Sequence, residues 1–496
     1  MTHSKDGKKA RIEPFRIAPI DTLQLEDDVR GRLSQIVHSV DTGSDEILRS
    51  PFLKDLTDDE ALSVFDKVFR DKIEDLPPAF RDLELSNRDN FGPRSIAVNW
   101  SERRASLEEY FNLESLKEVP VNPLTSGRLR RISARSANRL LKNQTSSGLP
   151  KLKEKAVLKR GISSTLQDEL SEEYPCVLYT RTQERKKTRN VWGYPMADTL
   201  NEMMIASPLT EYYKAHSPYR SALAGPSSTD ERLRKLLNRT GKKVSIDFSA
   251  YDASVDPLLQ AAARHKAKCM FQKSEHDFID SIYYRMSTIG IVTPDGIYYG
   301  SHGVPSGSSL TNIVDSDVQY ELAKLVTIPE EEADIHGDDG VYNSANPDKL
   351  ISNFIDYGLK VNESKTHISD DYFIYLQNYF QKDENGDVHG KYPIYRALNR
   401  IRFLERWTNF EEAGLTGQDY FSIRTISILE NVAYHPLFKE LVKFVVERDK
   451  YSLEVSEKGL TDYVAMVKQS SGTQGILLNQ RGDDVEGIRN FATFKL

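Results

Sequence analysis

The sequence predicts a helix-rich α+β fold in which a small antiparallel sheet, backed by helices, carries acidic turns. Three observations predict it. Short apolar runs end on acids, as in "KKVSIDFSAYDASVD" and "ADIHGDDGVYN". Runs of that length, bounded by turn residues, read as buried strands and hairpins. Stretches with helical spacing stand between and after them, and a chain of 496 residues exceeds one core; at ~150 residues per domain it divides into about three lobes.

The elements follow in chain order. Residues 1–120 read as mixed, with breaks at Pro77-Pro78 and at Pro120 and Pro123. "SARSANRLLKN" has helical spacing, and "TSSGLPKLKEK" then breaks it with Ser, Gly and Pro. "CVLYTRT" is strand-like by its β-branched and aromatic content, and "NVWGYP" closes that segment. "TLNEMMIASPLTEYYKA" reads as a helix, "KVSIDF" as a short buried strand, and residues 257–290 as helical again through "LLQAAARHKAKCMFQ". "IVTPDGIYYGSHG" predicts a hairpin around Asp295-Gly296, and "ADIHGDDGVYN" a second one with its acidic pair at the turn. "KLISNFIDYGL" predicts an amphipathic helix running into a strand. From about Asn399 the chain is mostly helical, and its end, from Gln469, opens as a Ser/Gly/Gln linker without a clear period.

Composition narrows the function classes. No run of ~18 apolar residues exists, so no membrane span is expected. "MTHSKDGKKAR" lacks the apolar core of a secretory signal. Two cysteines, Cys176 and Cys269, argue against a disulfide framework or a Cys-rich zinc site and for a reducing compartment. The net charge of −7 argues against a simple nucleic-acid coat. Charge is unevenly placed, however. Between Arg128 and Arg160 eleven Lys and Arg residues face Glu154 alone, and Arg181, Arg185, Lys186, Lys187 and Arg189 face only Glu184. Acids gather elsewhere, as in "LTDDEALS" and "IPEEEAD". An acidic shell around a basic track suits a channel; solvated helix faces are the plainer reading of each cluster.

The acids carry the chemistry. Asp247 ends the apolar run "VSI", Asp252 lies five positions on, and Gly337-Asp338-Asp339 follows about ninety residues later. Two such acidic turns brought together can hold two divalent cations, Mg²⁺ or Mn²⁺, which clamp the attacking and leaving oxygens of a phosphoryl displacement. Asp247 and Asp338 are expected on both metals with Asp339 assisting, while Asp252 faces the ribose. A Gly-Asp-Asp tripeptide alone is a common turn. Gly482-Asp483-Asp484 repeats it in a polar tail with no strand pattern and is read as that ordinary case. Between the acids lies "GVPSGSSLTNIVDS", a Ser/Gly loop leading into a helix-like stretch. Acid, loop, acid is the order expected of a template-copying polymerase.

Seven motifs in this order resemble those of viral RNA-dependent RNA polymerases of the picornavirus-like supergroup, picobirnaviruses first and partitiviruses second. The resemblance covers residues 145–380. "TSSGLP" is similar to the template-entry motif and implies contacts from Ser147, Gly148 and Pro150. "RTQERKKTRNVWGYP" is similar to the basic motif that grips the triphosphate, implying Arg181, Lys187 and Arg189. "SIDFSAYD" resembles the first metal motif and "GDD" the second. "VPSGSSLTN" resembles the template and ribose motif, implying Ser306, Thr311 and Asn312 for the nucleotide and Gly307 for the template. "YGLKVNESK" resembles the motif whose lysine protonates pyrophosphate, implying Lys365. "IYLQNYF" resembles the primer-grip hairpin, implying Leu376, Gln377 and Asn378. Two departures leave assignments open. Asp315 stands where many relatives have Asn, which opens the division of ribose sensing with Asn312, and Lys365 sits one residue short of the expected spacing, so Lys360 competes with it.

The resemblance implies a closed right hand. Its N-terminal region, 1–120, would bridge fingers and thumb. The fingers are expected in 121–240 and 257–300, the palm in 241–256 and 301–395, and the thumb in 396–468. A tail, 469–496, is expected to fold back as a plug of the cleft. The implied reaction is RNA-templated RNA synthesis that replicates and transcribes a double-stranded RNA genome. Expected partners are an RNA template and product duplex, nucleoside triphosphates and a viral capsid protein; the expected place is the virion interior and the host-cell cytoplasm. Two alternatives stand at this point. A reverse transcriptase would share the palm acids but usually carries an aromatic where Asp252 stands. A non-catalytic RNA-binding structural protein would use the basic tracks and leave the acids without a task.

Overall fold

In a computed structural model, residues 12–113, 117–471 and 488–495 are described. The strands among them are β1 (Arg16–Ala18), β2 (Cys176–Thr182), β3 (Thr188–Gly193), β4 (Lys242–Ile246), β5 (Ile291–Thr293), β6 (Gly296–Tyr299), β7 (Ala333–His336), β8 (Asp339–Ser344), β9 (His367–Ser369), β10 (Tyr372–Tyr375) and β11 (Asn378–Gln381). They form a five-stranded sheet β1-β6-β5-β2-β3, a four-stranded sheet β7-β8-β4-β9 and the hairpin β10-β11.

The four-stranded sheet is antiparallel throughout and covered on both faces. Val244 and Ile246 alternate along β4 and meet Ala333, Ile335 and Tyr342 in the central core. That core is closed by Leu259 and Ala263 of the helix Pro257–Met270 and by Val314, Val318 and Leu322 of the helix Thr311–Leu325. Apolar burial of this kind contributes about 25 cal/mol per Å². On the other face Val341 packs with Phe373, Tyr375 and Phe380 of the small hairpin and with Leu233 and Leu236 of the helix Pro226–Leu237. Lys243 and Ser245 alternate with Val244 and Ile246 along β4 and are buried as well, so the whole of "KVSI" is enclosed.

The N-terminal residues touch two distant parts. β1 adds to the edge of the five-stranded sheet through β6. Phe52, Phe65, Phe69, Ile73 and Phe80 instead join Ile401, Ile423, Leu441 and Phe444 in a second core with the C-terminal helices. Glu84 fixes that joint. It is fully buried, accepts from the backbone N–H of Ile394 at 2.8 Å and of Tyr395 at 3.2 Å, and meets His435 Nε2 at 2.9 Å. A carboxylate on the first N–H groups of the helix Ile394–Arg402 satisfies donors that the helix itself leaves open.

Three local expectations are corrected. The hairpin in "IVTPDGIYYGSHG" turns at Pro294-Asp295, because Thr293 already pairs with Gly296. The amphipathic helix, Pro347–Asp356, does not run into a strand; only an isolated bridge, Phe248 to Val361, precedes β9. The helix Glu457–Ser471 continues three residues into the expected linker. Residues 472–487, with Gly482-Asp483-Asp484 and most of the expected plug, lie outside the described residues. The end beyond them is anchored in the second core: Ile488 and Phe491 are fully buried there, and the Ala492 N–H donates to Glu430 Oε2 at 2.7 Å. Phe491→Ala is therefore expected to destabilise the chain by about 3–5 kcal/mol in urea unfolding, as a large core truncation does. A change below about 0.5 kcal/mol, typical of surface sites, would show that this end is not part of the core. No described helix is long and apolar enough to cross a membrane.

Candidate active site

Strand register brings the acids together. β7 and β8 pair up to His336 and Asp339, so Gly337-Asp338 form a two-residue turn, and Gly337 takes φ +68. That backbone sign favours glycine. The turn is held from the helix Thr311–Leu325. The Gly337 N–H donates to Ser316 Oγ at 2.8 Å, and Gln319 Nε2 donates to the Gly337 carbonyl at 2.9 Å. Asp338 is thereby exposed at the tip, and Asp339 opens β8 half-buried. Ile246 pairs with Gly340, so Asp247 falls opposite Asp339 one residue beyond the ladder. Ser245 pairs with His367; beyond that pair the neighbouring strand gives way to the 3-10 turn Glu363–Lys365, and the Asp247 carbonyl accepts from the Asn362 N–H at 2.8 Å. Partners in register share a face.

The electrostatics agree with this convergence. Burial raises the Asp247 carboxyl above its ordinary range; Lys365 opposes the rise, Asp338 adds to it, and Asn362 and Lys187 oppose it. Asp339 is pushed up to about 7 by burial and by the charges of Asp338 and Asp247. Burial lowers Lys187, with Arg189 and Lys365 beside it, while Asp247 and Asp338 pull the other way. Crowded hard-oxygen donors of this kind fit Mg²⁺ or Mn²⁺. Among the described residues, no three acidic, His or Cys side chains are placed to ligate one ion by themselves.

A second set lies beside the acids. Asp252 sits in the short helix Tyr251–Ser254, accepts from Ser306 Oγ, and is raised above its ordinary range by burial. The Tyr110 hydroxyl is 3.1 Å from the same Ser306 Oγ. Asp315, 2% exposed, lies behind; burial, then the charge of Asp252, lifts its carboxyl well above the usual range. The side chain of Asn312 accepts from Arg220 Nη2 at 2.8 Å. Thr311 Oγ1 is spent within its own loop, donating towards the carbonyls of Pro305 at 2.8 Å and Ser308 at 3.0 Å. Gly307 is required by a protein contact: at φ +152 an added Cβ would lie 2.1 Å from the Trp192 carbonyl oxygen of β3. The loop is further tied by Glu202, which accepts from Ser308 Oγ at 2.8 Å and the Ser309 N–H at 2.7 Å.

Glu202 yields a pH expectation. Burial pushes its carboxyl up to about 8. Between its ordinary range and that value the native chain holds a proton that the unfolded chain has released. Rising pH therefore removes stability across that window, at up to about 1.4 kcal/mol per pH unit. Glu202→Gln should flatten the fall in urea midpoint between pH 5 and 8; an unchanged slope would assign it to other groups.

The remaining predicted residues divide. Arg181 and Arg189 are cross-strand partners on β2 and β3. The charge of Arg189 is felt by Asp252 and Asp339, whereas Arg181 is paired with Glu405 at 3.3 Å. Ser147 is buried: its N–H and carbonyl are bound to Lys153 and Met196, and its Oγ accepts from the Lys153 N–H at 3.1 Å. Gly148 has φ +61 and packs on the Tyr194 carbonyl, where a Cβ would come to 2.4 Å; Pro150 follows in the same loop, half-buried. Leu376 and Gln377 are the turn of the β10-β11 hairpin, both with positive φ. Leu376 and Asn378 line a cavity of about 310 Å³ with His336, Asp230 and Glu430. Lys360 points elsewhere, in an ion pair with Glu109. Sequence reasoning missed Glu202, Arg220, Ser316, Gln319 and Glu405. Ser316 and Gln319 stand four and seven positions after Asn312, a polar stripe that could have marked the helix face turned to the acids.

A right-hand fold with two acidic strand ends, a basic hairpin facing them and a Ser/Gly loop between defines a nucleic-acid polymerase. The model of the viral RNA-dependent RNA polymerase family matches residues 104–406, well over half of the chain, and the chain belongs to that family. It is 27% identical over 470 residues to a potential RNA-dependent RNA polymerase of Human picobirnavirus, covering 86% of this chain and 87% of the relative. It is 26% identical over 221 residues to an RNA-directed RNA polymerase of Cryptosporidium parvum virus 1, covering 39% of this chain and 41% of that one. The crystal structure of the polymerase of a human picobirnavirus shares the fold, with a TM-score of 0.79 at 22% identity over 95% of this chain and 99% of that one. The enzyme is thus an RNA-directed RNA polymerase, which excludes neither nucleotide nor RNA from its partners and favours this activity over the two alternatives.

Proposed function

We propose that this polymerase works by two-metal nucleotidyl transfer and replicates and transcribes a double-stranded RNA genome. The observation that supports the mechanism is the convergence of Asp247, which ends β4 opposite Asp339, with Asp338 at the adjoining turn and with Lys365, whose charge acts on Asp247. Asp247, Asp338 and Asp339 would hold Mg²⁺ or Mn²⁺, and the bound ions supply charge neutralisation at the attacking and leaving oxygens. Lys187 and Arg189 grip the β- and γ-phosphates, a guanidinium fork matching phosphate oxygens. Arg181 joins them only on leaving Glu405. Lys365 delivers the proton to the departing pyrophosphate. Asp252 accepts from the ribose 2′-OH, and Asn312 borders the same space. Gly148, Pro150 and Gly307 shape the template path through their backbone, and the β10-β11 turn supports the primer strand. A viral capsid protein as partner, and the virion interior and host cytoplasm as the place of action, belong to this proposal.

Sugar choice tests it. A site built to bond a hydroxyl rejects the analogue lacking it, because its buried polar groups are left unpaired. Asp252→Ala is expected to narrow the kcat/KM gap between ribo- and deoxyribonucleotides. An unchanged ratio would move the role elsewhere.

A further inference from the structure

Beneath the sugar-reading residues lies a buried cation that the reaction does not obviously use. Arg220 occupies the 3-10 segment Pro218–Ala224, where its own backbone departs from helical geometry (φ −122, ψ 38). Its side chain is 0% exposed. Nη2 donates to Asn312 Oδ1 at 2.8 Å, Nη1 is 3.8 Å from Asp317 Oδ1, and the guanidinium carbon is 4.8 Å from the centre of the Tyr213 ring. Nε and Nη1 have no hydrogen-bond partner among the described residues. Asp317 is itself held by the Tyr213 hydroxyl at 2.6 Å and by Lys266 at 3.3 Å. The guanidinium is thus fixed from behind, and its one side-chain hydrogen bond goes to Asn312.

That bond sets the chemical sense of Asn312. A guanidinium has donors and no acceptor, so the amide must turn its carbonyl towards Arg220. The NH₂ group then faces away from it. There it borders the acidic turn: a Cβ added at Gly337 would lie 3.3 Å from Asn312 Nδ2. A ribose 2′-OH has one hydrogen to donate and lone pairs that accept. The carboxylate of Asp252 stands as an acceptor, as it does towards Ser306 Oγ. A donor on the other side completes the hydroxyl, whereas a flipped amide would set a second acceptor against it and leave one group unpaired.

We propose that Arg220 is a positioning residue for sugar selection, locking the Asn312 amide so that its NH₂ donates to the ribose hydroxyl that Asp252 accepts from. The inference rests on the reading of Asp252 and Asn312 as the ribose site. It gives a task to a residue outside every motif read from the sequence.

The test measures kcat/KM for a ribonucleotide and its 2′-deoxy analogue on one primed RNA template, in the full chain. Arg220→Met keeps much of the bulk and removes the donor. Because it leaves Asp317 with Lys266 as its cation, Arg220→Met/Asp317→Asn is the companion variant that keeps the network neutral if the single one does not fold. Each is expected to lower the ribo-to-deoxyribo ratio by roughly tenfold or more. Adding Asn312→Ala should lower it no further, as residues acting through one another are non-additive. Equal loss of both rates at an unchanged ratio would assign Arg220 to the fold alone and overturn the proposal. An unchanged ratio in the Arg220 variants, with a lowered one in Asn312→Ala, overturns it while the ribose site stands. An unchanged ratio in Asn312→Ala removes the ribose reading itself, and the proposal with it.

Discussion

Asp338→Ala is expected to abolish most nucleotide incorporation while leaving the fold intact. The side chain is exposed at the tip of the β7-β8 turn, and the turn backbone is held through Gly337 by Ser316 and Gln319 rather than through Asp338. Removing it also relieves the charge that helps push Asp339 up to about 7. Thermal stability should therefore stay level or rise. The reaction loses a carboxylate that neutralises charge building on the phosphoryl group. About 4 kcal/mol of lost transition-state stabilisation, at ~1.4 kcal/mol per tenfold, is roughly a thousandfold in rate. Asp484→Ala, in the second Gly-Asp-Asp, should keep full activity. Equal losses in both, or activity retained in Asp338→Ala, would remove the assignment.

Lys365→Leu carries the next largest effect. A general acid contributes ~10²–10⁴-fold, so single-turnover incorporation should slow by that order. Lys360 is the internal control. Its ammonium is engaged by Glu109, and its carbonyl accepts from the Ser249 N–H at 2.8 Å. Lys360→Leu should change the chemical step little, because Lys360 is held by Glu109 whereas the charge of Lys365 acts on Asp247 and Lys187. The reverse order of effects would assign proton delivery to Lys360 instead.

What the sequence made legible was local. "VSI" before Asp247 and the apolar flanks of Gly337-Asp338-Asp339 announce strands because each residue's neighbours decide its burial. The hairpin in "IHGDDGVY" follows from turn chemistry, while that in "IYLQNYF" came only from the family resemblance; both are present. The strand expected after "KLISNFIDYGL" failed where Val361 meets Phe248 in a single bridge, a pairing set by tertiary packing. Partners far apart in the chain were illegible for the same reason. Glu202 holds Ser308 and Ser309 from over a hundred residues away, Arg220 reaches Asn312, and Glu84 secures Ile394. Each is a single polar residue in an apolar or mixed stretch, with no periodic signal of its own. Gly307 and Ser147 were assigned to the template because their motif is, yet their immediate environment is the protein's own backbone.

The most direct test is extension of a primed poly(A) template by the purified chain with labelled UTP, with Mg²⁺ or Mn²⁺ supplied and then removed by chelation. The account predicts template-dependent poly(U) in the presence of the ion, none after chelation, and none from Asp338→Ala. Incorporation that persists in the chelated reaction or in Asp338→Ala would contradict it.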